Sequence, residues 1–79
     1  MELSEKEKAN MTRGEYLRLL RHFEGLTIRQ VTAVVKMSPS YLCALEQGKY
    51  KISFDKAYAL IKAYGGDLDI FASLPLKKA

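Results

Sequence analysis

Apolar residues along this chain recur at helical spacing in short stretches, and each stretch is fenced by a polar start and a glycine or proline stop. Tyr16, Leu17, Leu20 and Phe23 lie three and four apart, the spacing that lines one face of a helix. Thr12 precedes them with Glu15 three residues on, the pairing in which each side chain accepts a backbone N–H at a helix start. Gly25 stands where that helix stops, after Glu24. Thr27 and Gln30 repeat the start signal ahead of Val31, Val34 and Val35; the valines alone would suit a strand, but caps and spacing favour helix. Ser38-Pro39 opens a third helix, because proline at the first helical position loses no hydrogen bond. Leu42 and Leu45 point it inward, and Gly48 ends it after Gln47. Ser53, helped by Asp55, starts a fourth helix whose buried side is read as Phe54, Ala57, Tyr58, Leu60 and Ile61, with Gly65-Gly66 as its stop. Asp67 caps a last short helix carrying Leu68, Phe71 and Leu74, closed by Pro75. The pattern predicts an all-α fold, a compact five-helix domain over residues 11–74. Residues 1–10 read as a flexible arm without a sustained apolar face, and residues 75–79 as a tail.

Size and composition narrow what such a domain does. With 79 residues there is one modest core and no room for a deep catalytic cleft with its supporting shells, so an enzyme is not expected. The single cysteine, Cys43, leaves no internal disulfide. The charged stretch Glu2 to Lys8 does not resemble a secretory signal and no stretch is apolar enough for a membrane span, so a cytoplasmic location is expected. The formal charge of +4 suits a polyanionic partner.

The second and third helices are separated only by Lys36, Met37 and Ser38, a spacing that makes a helix-turn-helix unit, in which the second helix is presented outward and fits a major groove. With Leu42 and Leu45 inward, the helical period leaves Pro39, Ser40, Cys43, Ala44 and Gln47 on the open face as candidate base contacts. Ser40 can bond several base edges, Ala44 can touch a thymine methyl, and Gln47 can reach adenine or a phosphate. No arginine stands there for the bidentate guanine contact, which shifts weight to DNA shape and flanking contacts. Candidate phosphate contacts are the helix starts at Thr27 and Ser38, flanking Arg29 and Lys36, and the basic loop of Lys49, Tyr50 and Lys51 leading into Ser53.

Ordered matches then carry a resemblance: Leu17 and Arg21, Gly25-Leu26-Thr27, Val31, Ser38-Pro39-Ser40-Tyr41-Leu42, Leu45-Glu46-Gln47-Gly48-Lys49, Ser53, Leu60, Ala63, Gly65, and Leu68-Asp69 before Phe71. This stretch resembles the lambda-repressor-like (Cro-type) helix-turn-helix family. The resemblance implies base contacts from Pro39, Ser40 and Ala44, a loop after the third helix lying along the DNA backbone, and an internal ion pair between Arg21 and Glu46. Three positions depart from it. Lys36 replaces a common turn glycine, at a cost of roughly 1 kcal/mol if its φ is positive. Ile28 replaces a phosphate-gripping glutamine, and Thr32 a small alanine.

No other chemistry competes. His22 is the only histidine and has no ligand-spaced partners, so no metal is expected; His22 and Cys43 have no third member or oxyanion hole. No glycine-rich phosphate loop is present, and no cofactor or small-molecule substrate is expected. The sequence reads as a sequence-specific regulator of double-stranded DNA, a small repressor of phage or antitoxin type. It would act as a homodimer on a near-palindromic operator, with a toxin as a candidate protein partner. Ile70, Leu74 and Leu76 either pair the copies or complete the core. The alternative is an adaptor whose helix-turn-helix face binds protein.

Overall fold

A computed structural model of the protein describes residues 11–75. The expectations for the arm over residues 1–10, for Leu76 and for Lys77-Lys78 lie outside the described residues. Five helices follow one another with tight connections: α1 (Arg13–Phe23), α2 (Ile28–Val34), α3 (Pro39–Glu46), α4 (Phe54–Tyr64) and α5 (Leu68–Ser73). No strand occurs among the described residues.

Each start is fixed by a local side chain. Thr12 and Thr27 form complete capping boxes with Glu15 and Gln30, while Ser38, Ser53 and Asp67 accept from backbone N–H groups two or three residues on. The stop of α3 needs a left-handed residue. Gly48 has φ 77°, which lets its own N–H reach Leu45 O at 3.1 Å and the Lys49 N–H reach Ala44 O at 3.0 Å. The stop of α2 needs none. Val35 is extended at φ −97° and ψ 119°, and no residue but glycine has positive φ among those described, so Lys36 bears no left-handed strain.

Helix α1 lies at the centre, packing against α3, α4 and α5, while α2 packs against α3. Leu17, Leu42, Leu60 and Tyr64 are the most deeply buried large side chains, joined by Tyr16, Leu20, Val31, Ile61, Phe71 and Leu74. Burying this apolar surface is the main favourable term for a chain without a disulfide. A close backbone approach completes the α1–α3 contact. A Cβ on Gly14 would stand 2.5 Å from Leu45 O and 2.7 Å from Glu46 O, so the end of α3 seats directly on α1 where there is no side chain. Arg13 then fastens the far end of the fold. Its Nε donates to Leu74 O at 2.8 Å, its Nη2 to Ala72 O at 2.9 Å and its backbone N–H to Pro75 O at 2.9 Å, with the guanidinium over the Phe71 ring.

The apolar pattern misplaces some side chains. Phe54 and Tyr58, read as part of the buried side of α4, are 69% and 49% exposed, whereas Tyr64 is buried. Apolar residues on α4 cover more of its circumference than one core can take, and packing selects the stripe of Ala57, Leu60, Ile61 and Tyr64. Phe23 and Val34 are exposed at their helix ends. Leu74 is spent on the core, and Ile70 is half-buried against it.

Candidate nucleic-acid interface

The α2–α3 unit is held from behind. Leu42, Leu45 and Glu46 form the buried side of α3. Arg21, reaching from α1, donates to Glu46 through two parallel bonds: Nε to Oε2 at 2.8 Å and Nη2 to Oε1 at 3.0 Å. Its Nη1 donates to Leu26 O at 2.9 Å, tying down the connection that leads into α2. A guanidinium has no acceptor, so the 3.2 Å contact to His22 has the ring Nε2 accepting from Arg21 Nη2. The hydrogen bond to Glu46 raises the pKa of Arg21 against the opposing effect of burial, keeping the charge in place. Tyr64 packs nearby with its hydroxyl buried and unpartnered; burial first, then the charge of Glu46, pushes its pKa up to about 12.

With that side locked, the other side of α3 is presented. Pro39, Ser40 and Gln47 are exposed, and Cys43 and Ala44 are half-exposed between them. Local bonds pre-position two of these side chains: Gln47 Nε2 donates to Cys43 Sγ at 3.5 Å, and Ser40 Oγ lies 3.5 Å from Ser38 Oγ. The N-terminus of α3 offers fewer free amides than the cap pattern suggests. Pro39 has none, the Tyr41 N–H is taken by Ser38 Oγ at 3.1 Å, and the Ser40 N–H remains. At α2, Thr27 N–H is likewise taken, by Gln30 Oε1 at 2.8 Å.

The loop that leaves α3 carries exposed Lys49, Tyr50 and Lys51 before the Ser53 cap, whose hydroxyl accepts from Lys56 N–H at 3.4 Å. Two residues that sequence reasoning missed join this loop. The Tyr41 ring, on the flank of α3, stacks on Tyr50 with centroids 5.9 Å apart, and Lys56 of α4 places its Nζ 4.4 Å from the Tyr41 centroid. The three residues come from α3, the loop and α4, so no local spacing links them. Among the described residues Arg21 and Glu46 form the only ion pair, which leaves Lys49, Lys51 and Lys56 without a carboxylate partner. Arg29 on α2 and Lys36 in the turn are exposed, with no contact joining them to this cluster. Ile28 is half-buried against the core, and Thr32 Oγ1 donates back to Ile28 O at 3.0 Å; neither reaches outward.

Two short helices packed across a tight turn, the second open to solvent beside a lysine-bearing loop, define a DNA-binding helix-turn-helix unit. A family profile described as Helix-turn-helix domain matches residues 14–74, which takes in all but the first residue of α1 and the whole of α2 to α5. The chain belongs to the helix-turn-helix domain family, whose fold binds DNA and is not enzymatic. Comparison with curated proteins and with solved structures gave no match. No helix among the described residues is long and apolar enough to cross a membrane.

Proposed function

We propose that the protein is a sequence-specific double-stranded DNA-binding transcriptional regulator of the lambda-repressor-like (Cro-type) kind, a small repressor of phage or antitoxin type. Helix α3, starting at Pro39, enters the major groove. The observation that carries this reading is the polarity of α3: one side is locked by Leu42, Leu45 and the Arg21–Glu46 pair, while Pro39, Ser40 and Gln47 face solvent beside unpaired lysines. Ser40 and Gln47 supply hydrogen bonds to base edges, Ala44 and Cys43 a small apolar surface between them. Lys49, Lys51 and Lys56, the last seated over the Tyr41 ring that stacks on Tyr50, run along a phosphate backbone and set the register of α3. Arg29, Lys36, Thr27, Ser38 and Ser53 add outer backbone contacts. An eight-residue helix spans about 12 Å, so one copy reads few base pairs. Two copies on a near-palindrome, with their α3 helices about 34 Å apart, give the specificity a regulator needs.

Selection of the purified protein on a random duplex pool tests this, followed by anisotropy titration of the winners at two salt concentrations. An enriched near-palindrome whose affinity falls steeply with salt supports the reading. No enrichment, with weak salt-insensitive binding, overturns it. That second outcome favours the reading of α3 as a protein-docking face, which the lack of an arginine on its open side also favours.

A further inference from the structure

The exposed side of α4 carries a stripe that the core does not use. Phe54 and Tyr58 stack on one another with centroids 6.5 Å apart, and Lys62 continues the same line one turn on, its Nζ 5.9 Å from the Tyr58 centroid. Phe54 is 69% exposed and Tyr58 49%, so two neighbouring large aromatic rings face water in a chain with few core residues to spare. Contiguous apolar surface of this kind marks an interaction site.

We infer that this stripe is the face through which two copies of the chain pair, with their α4 helices antiparallel about Tyr58. The charges on the helix select that occupant and that direction. Asp55 lies in the first turn and Lys62 in the last, on the same flank of the aromatic stripe, and neither forms an ion pair among the described residues. An antiparallel pairing brings Asp55 of each copy to Lys62 of the other, twice by symmetry, and places each Lys62 at the partner copy's Phe54 ring. A parallel pairing puts this flank of the two copies on opposite sides of the seam, so Asp55 of one copy never meets Lys62 of the other. The two helix dipoles also oppose in the antiparallel arrangement. This deepens the two-copy reading given above and rests on it.

Sedimentation of the full 79-residue chain without DNA, over a wide concentration range, tests the pairing separately from DNA binding. The expected result is a dimer that Phe54→Ser and Lys62→Glu each loosen by about tenfold or more. The double exchange Asp55→Lys with Lys62→Glu restores the opposite-charge contacts and recovers most of the affinity. Residues 54, 55 and 62 are exposed, so the variants should keep the fold, which circular dichroism melts verify. A chain that stays monomeric at every concentration overturns the inference. So does a dimer indifferent to Phe54→Ser and to Lys62→Glu alone, since its interface then lies elsewhere. In either case the selection experiment above still decides whether the chain binds DNA.

Discussion

Arg21 and Glu46 sit at 9% and 4% side-chain exposure, so neither charge can be solvated if the other is removed. Glu46→Ala leaves a buried guanidinium unpaired and should cost about 3–5 kcal/mol in urea unfolding. Replacing both partners together with leucine and methionine should recover most of that loss, because no charge is then stranded. Tyr64 shows the converse. Its hydroxyl is buried with no hydrogen-bond partner, so Tyr64→Phe should leave stability unchanged or raise it by up to about 1 kcal/mol. The same variant changes the alkaline limb. The folded chain holds the Tyr64 proton to about 12 against an ordinary 10.0, so stability present below pH 10 falls as pH rises from 10 to 12. Phenylalanine removes that contribution, and the difference between the two unfolding profiles over that window should show it. At this scale the Arg21–Glu46 pairing was reachable from the sequence through a resemblance alone. Tyr64 was passed over because Phe54 and Tyr58 offered a competing apolar stripe on the same helix.

The helices themselves are written locally. A cap joins a side chain to an amide two or three residues away, so Thr12, Thr27, Ser38, Ser53 and Asp67 announce their helices without any tertiary information. Glycine stops are as local where the backbone turns left-handed. Gly48→Ala, at φ 77°, should therefore lower stability by about 1 kcal/mol and loosen the loop that follows α3. Gly14 is a different case. Its conformation is ordinary, and only the approach of the α3 carbonyls makes it necessary, which no pattern within α1 reveals. Gly14→Ala should push α1 and α3 apart and cost about 1–3 kcal/mol, measured by the shift in urea midpoint. The absence of strain at Lys36 belongs here too: α2 ends on an extended Val35, so the turn needs no glycine.

At the scale of the molecule, the proposed DNA interface is assembled from parts far apart in sequence. Lys56→Ala should weaken binding to every duplex by a similar factor and reduce the slope of affinity against salt by about one, since a phosphate contact carries no sequence information. Ser40→Ala or Gln47→Ala should instead alter which duplexes the selection enriches, with little change in that slope.

The sequence by itself determined five helices, their starts and stops, the outward residues of α3 and the helix-turn-helix class, because caps, period and turn length act within a few residues of each other. Tertiary structure alone decided which apolar stripe of α4 is buried and where Arg13 fastens the chain. It also decided that Tyr41, Tyr50 and Lys56 meet. Those outcomes depend on which surfaces compete for one small core, and a helix cannot tell from its own residues which of its apolar faces a neighbour will cover.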